Sequence, residues 1–138
     1  MTLDPDVVRA RCTEITQALE RLERIRAEGR EAFLSQQDAR DIACYRLLLA
    51  IEAALALCFH VSSRRLRTVP EDYAGCFAGL ERAGLIPADR SARLQQMARF
   101  RNLLVHVYWE VDYNRVFDVI EQSLGDLEAF SRTVAELL

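Results

Sequence analysis

The chain has 138 residues, 51% hydrophobic and 28% charged, which suits one domain with a normal core and excludes a disordered chain. A formal net charge of -3 excludes a globally basic nucleic-acid binder, so any RNA contact has to come from a local arginine cluster or a surface built by two subunits. Gly and Pro are few, at five and three, and Ala, Leu, Arg and Glu are abundant, which favours helix over sheet.

Asp4-Pro5-Asp6 reads as a helix start, with Asp4 as N-cap and Pro5 at the first helical position. Val8, Cys12, Ile15, Leu19, Leu22 and Ile25 then recur at steps of three and four, the mark of an amphipathic helix that ends before Gly29. Phe33 to Gln37 reads as a connector, with Asp38 able to cap the next helix. From Ala39 to about Ser62 the sequence is apolar on nearly every side, so this helix should be buried on most faces. Glu52 lies in its middle, and a buried carboxylate needs a partner, either a core ion pair or a pair across a dimer interface. His60 reads as a capping or packing residue.

Ser62 to Val69 is an arginine-rich link closed by Pro70, which bars a continuing helix. Arg64, Arg65 and Arg67 suit either a phosphate contact or a solvated loop. A short helix from about Asp72 to Ala83 stops at Gly84. Leu85-Ile86-Pro87 turns the chain into a helix from Ala88 to about Trp109. Asp112 caps a last helix that uses Val116, Val119, Ile120, Leu124, Leu127 and Val134. No stretch alternates with a β period, so the expected architecture is all-α: a single domain over residues 1–138 folded as an up-and-down bundle of four to five helices.

The four cysteines are far apart in sequence and lack zinc spacing. The expectation is buried free thiols in a reducing cytoplasm. No signal pattern opens the chain. The longest apolar run, Leu47 to Val61, is broken by Glu52 and His60 and is too short to span a bilayer, so a cytoplasmic protein with no membrane contact is expected.

The stretch Arg99 to Glu110 reads RFRNLLVHVYWE. At about 100° per residue, Phe100, Leu103, Leu104 and Val107 form an expected core face. Arg101, Asn102 and His106 fall across about 140° on the other side, and Tyr108 returns to nearly the azimuth of Arg101. Three readings compete. Ordinary surface or core-edge packing is the plainest. A metal site is poor, because His106 and Glu110 make only two ligands. The third is metal-free phosphodiester chemistry on RNA. Histidine titrates near neutral pH and suits removal of a proton from a ribose 2′-hydroxyl. Arginine stabilises charge growing on phosphorus, and asparagine orients either. One helix does not aim Arg101 and His106 at a single phosphate, so this chemistry argues for two copies meeting across a two-fold axis.

Arg101-Asn102-x-x-x-His106-x-Tyr108 resembles the R-x-x-x-x-H-x-Y signature of HepT-like toxins of the HEPN superfamily. YRLLLAIEAAL from Tyr45, Val69-Pro70 followed by Tyr73, AGLIP from Ala83 and MARFRNLLVHVYWEVD from Met97 resemble that family in the same order, across nearly the whole chain. The resemblance implies a homodimeric helical bundle and a metal-independent endoribonuclease acting at the dimer cleft, with no cofactor. It implies Arg101 and His106 as catalytic residues and Asn102 as the polar helper between them. The implied partner is a minimal nucleotidyltransferase antitoxin of the MntA type, which transfers AMP to Tyr108 and so silences the toxin of a type VII toxin–antitoxin pair. The alternative is a non-catalytic helical module that binds such a nucleotidyltransferase.

Overall fold

A computed structural model describes residues 2–106 and 111–138, with His106 described through its backbone. α1 (Pro5–Glu28) starts as its sequence dictates: the Asp4 carboxylate accepts the Asp6 N–H at 3.0 Å, and Pro5 occupies the first turn. Val8, Ile15, Ala18, Leu19 and Leu22 form its buried stripe. The helix breaks at Gly29, whose φ of 91° lies where side-chain-bearing residues are strained.

The connector expected from Phe33 onward is largely helix. α2 (Arg30–Ser35) is a single short element, formed because Phe33 is drawn into the core against the rings of Tyr113 and Phe117. Arg30 lies over the Phe117 ring and bonds Asn114 and Asp118. α3 (Gln37–Arg64) consequently begins before Asp38, with Gln36 as an N-cap that makes no side-chain bond. Asp38 sits instead in the first turn, where its charge favours the helix dipole.

α3 packs against all five other helices. Its 28 residues are long and apolar enough to cross a membrane by length and composition, which corrects the expectation of too short a run, yet the bundle covers much of that surface. Leu47, Ala50, Ile51, Ala54, Leu57, Cys58 and Val61 are buried. A stripe remains open on it: Tyr45 is 59% exposed and Ile42 is exposed beside it.

α4 (Tyr73–Arg82) and α5 (Ala88–His106) form a hairpin, closed by bonds from the Gly84 and Leu85 N–H groups to the Glu81 and Leu80 carbonyls. α6 (Tyr113–Ala135) starts at Asp112, whose carboxylate accepts the Asn114 and Arg115 N–H groups, and it runs through Gly125 without a break. Phe130 from α6 meets Phe77 from α4 edge-on. The described residues therefore form six helices, one more than the upper expectation, the extra one being α2. No strand occurs among them.

Cys58 and Cys76 correct the expectation of free thiols. Both are fully buried, their Cα atoms lie 6.2 Å apart, and they form a disulfide joining α3 to α4. Cys12 and Cys44 remain free. Burial, and then Asp41, push the Cys44 thiol up to about 11, which keeps it protonated and unreactive near neutral pH.

His60 caps, as its sequence position suggests, but caps a distant helix: its Nε2 accepts the Asp4 N–H at 3.0 Å, tying the start of α1 to the end of α3. Burial and then Arg64 lower its pKa, opposed by Asp4. The bond requires a neutral imidazole, and between the ordinary value near 6.5 and the lower folded value the unfolded chain binds more protons. Its stabilisation is thus full above about pH 6.5 and lost as pH falls through the folded value. Thermal melts should show the wild type losing stability more steeply than His60→Gln on acidification, since the amide oxygen accepts without titrating. Parallel curves would refute this.

Candidate active site

The core stripe of α5 runs through Ser91, Leu94 and Ala98, all buried. Arg101 is the next residue on that stripe, three positions after Ala98 and seven after Leu94. Its side chain is therefore only 17% exposed. This overturns the expected helical wheel, in which Arg101 faced away from the core. Leu103, assigned there to the core face, is 41% exposed, while Phe100 is buried and Leu104 half-buried.

The inward turn of Arg101 brings it to α3. Its Nε donates to Glu52 Oε1 at 2.5 Å, so the mid-helix carboxylate of α3 has an ion partner, although Glu52 is not buried as expected: its side chain is 41% exposed. Its NH1 donates to the Asn102 side-chain oxygen at 3.2 Å. Its Cζ lies over the Tyr73 ring, 5.1 Å from the centroid, within cation–π range. Tyr73 in turn meets Phe59 edge-on, with ring centroids 5.7 Å apart. Three helices thus hold one guanidinium.

The NH1 bond joins Arg101 to Asn102, which is exposed to solvent. The α5 backbone continues to His106, its last residue, one turn beyond Asn102. Tyr108 and Glu110 lie outside the described residues. Among the described residues no group of three or more His, Cys, Asp or Glu side chains could hold a metal ion.

Glu52 and Tyr73 are missing from the expected site. Glu52 carried a signal, a carboxylate in the middle of the apolar stretch of α3, but its partner lies 49 positions away and emerges only once α5 is folded against α3. Arg64, Arg65 and Arg67 are exposed at the far end of α3. Arg64 is about 18 Å along the helix from Glu52 at 1.5 Å per residue, so this cluster is separate from the Arg101 group.

The family model for "Ribonuclease HepT-like" matches residues 15–134. The chain belongs to that family. Among HepT-like relatives, the mRNA nuclease HepT of Shewanella oneidensis is 24% identical over 125 residues, 91% of this chain and 93% of its own length. The tri-AMPylated HEPN toxin of Shewanella oneidensis, solved in complex with MNT antitoxin, superposes with a TM-score of 0.85 at 23% identity, covering 94% of this chain and 96% of that one. A toxin–antitoxin structure with AMP-PNP superposes at 0.83 with 22% identity over 94% and 98%. These superpositions establish the HEPN-type helical fold for the HepT-like chain.

Proposed function

We propose that this HepT-like chain is the toxin of a toxin–antitoxin pair, an endoribonuclease that works as a homodimer and requires no metal ion. Membership in a ribonuclease family over residues 15–134 carries the reading, and the held guanidinium of Arg101 gives it a chemical basis. His106 accepts the proton of a ribose 2′-hydroxyl, whose oxygen bonds to the adjacent phosphorus. The bond to the 5′-oxygen breaks, that oxygen takes up a proton, and a 2′,3′-cyclic phosphate remains. Arg101 stabilises the extra negative charge on phosphorus, and Asn102 orients the phosphate or the imidazole.

The open stripe of α3, Ile42 and Tyr45, continues towards Leu49 and Glu52, and Leu103 lies exposed beside Asn102. A second copy seated there places two Arg101–Asn102 groups at one cleft and covers the apolar stripe. In this reading the antitoxin is an MntA-type minimal nucleotidyltransferase that adenylylates Tyr108. The chain works in the cytoplasm, where mRNA and ATP meet.

The test uses the purified chain free of any partner. It should sediment as a dimer at micromolar concentration and cut RNA, and Arg101→Ala should remain dimeric without cutting. A monomer, or a dimer indifferent to RNA, overturns the proposal; the latter leaves a helical module that only binds its nucleotidyltransferase.

A further inference from the structure

Five N–H groups project from an arginine in a rigid fork. At Arg101 one of them, on Nε, goes to Glu52, and one on NH1 goes to Asn102. Among the described residues NH2 has no partner. With Nε taken, the side-on fork formed by Nε and NH2 cannot grip a phosphate in two places. The end-on fork formed by NH1 and NH2 still can.

The Glu52 carboxylate is not needed to neutralise a sealed charge. Its side chain is 41% exposed, so water reaches the pair, and an ion pair of that exposure contributes little to folding. A carboxylate this close also opposes the approach of an anionic substrate. What it does uniquely is direct one edge of the guanidinium.

The Tyr73 ring covers the face of the same guanidinium, and it too is fixed from behind. Phe59 abuts it edge-on. Asp72 caps the first turn of α4 by accepting the Gly75 N–H at 2.6 Å. A Cβ on residue 75 would lie 2.7 Å from that carboxylate oxygen, so glycine there lets the cap close and sets where Tyr73 leaves the helix.

We infer that Glu52 and Tyr73 are positioning residues for Arg101: the carboxylate fixes Nε and the ring fixes the guanidinium face, so the NH1–NH2 edge is set for a phosphate before RNA binds. This rests on the assignment of Arg101 in the proposed function. A preset guanidinium loses less rotamer freedom when the phosphorane forms, so the gain falls on kcat rather than on KM.

The experiment measures kcat and KM on a fluorogenic RNA oligonucleotide, using purified full-length variants whose dimeric state and melting are checked first. Glu52→Gln keeps an acceptor oxygen in place without the charge, whereas Glu52→Asp keeps the charge and withdraws the acceptor by one methylene. Glu52→Ala and Glu52→Asp should lose about 10- to 100-fold in kcat with KM little changed, while Glu52→Gln stays within severalfold of wild type. Tyr73→Leu should lose several-fold in kcat, and Tyr73→Phe, which keeps the ring face, should not.

If Glu52→Asp matches wild type while Glu52→Gln is poor, charge rather than position is at work and the inference is overturned. Wild-type kcat in Glu52→Ala beside an inactive Arg101→Ala overturns it as well and spares the proposed function. Wild-type kcat in Arg101→Ala instead defeats the proposed function, and this inference falls with it. Should Glu52→Ala fail to fold, the contrast between Gln and Asp still decides, because both retain a polar side chain at residue 52.

Discussion

His106→Ala should slow RNA cleavage by about 10²–10⁴, the usual contribution of a positioned general acid or base, while leaving the helical content and dimeric state intact. The substitution falls on the last residue of α5, and alanine is a good helix former. Neither a guanidinium nor a carboxamide is an ordinary proton acceptor, so no neighbour in the Arg101–Asn102–His106 set takes over the proton transfer. Because the attacking oxygen belongs to the substrate, no metal-bound water is needed, and cleavage should persist in EDTA. The products should carry a 2′,3′-cyclic phosphate on one side and a 5′-hydroxyl on the other, distinguishable by end-labelling and mass spectrometry. Cutting that EDTA eliminates and His106→Ala spares would mean a different mechanism.

Tyr108→Phe should leave the protein folded and toxic but beyond the reach of its antitoxin. The expected modification is attack of the phenol oxygen on the α-phosphorus of ATP. The phenol proton passes to a base of the nucleotidyltransferase, pyrophosphate departs, and AMP remains on the ring. Tyr108 follows Arg101 by seven residues and His106 by two, so the added nucleotide brings bulk and a phosphate charge to the sequence neighbourhood where RNA must meet Arg101. Blocking and charge repulsion then both oppose substrate entry. Phenylalanine retains the ring and lacks the nucleophile. Co-expression with the nucleotidyltransferase, followed by intact mass, peptide mapping and growth, provides the readout. The mechanism fails if AMP-sized increments never map to Tyr108, or if Tyr108→Phe is silenced as well as wild type.

Helix identity was legible wherever local chemistry decides it. Asp4 and Asp112 cap the helices their positions suggest, through side-chain oxygens accepting first-turn N–H groups, whereas Asp38 does not, because α3 begins before it. α2 was not legible, because six residues cannot sustain a helix alone and Phe33 finds its place only against Tyr113 and Phe117. The Cys58–Cys76 pairing escaped for a similar reason: 18 residues separate the two, and only the packing of α4 on α3 brings them together. At the site, the polar residues of α5 stood out, but the wheel placed Arg101 outside. The wheel ranks faces by average polarity, so it cannot register one arginine entering an apolar stripe to meet a single carboxylate on another helix. The full stripe from Leu94 through Ala98 held the better clue.

α6 covers surfaces of α1, α2, α3 and α5, and the rings and carboxylates that receive Phe33 and Arg30 lie 80 to 91 positions downstream of them. Synthesis runs from the other end. At roughly 5–20 residues per second, the ribosome releases the earlier helices seconds before the one that closes over them, with Phe33 and the part of α1 that faces α6 still uncovered. A fold assembled this way is finished only once α6 has been made. Chains cut short before Tyr113 lack the helix that seals the bundle, so truncated products are left for chaperones and proteases rather than joining the folded pool.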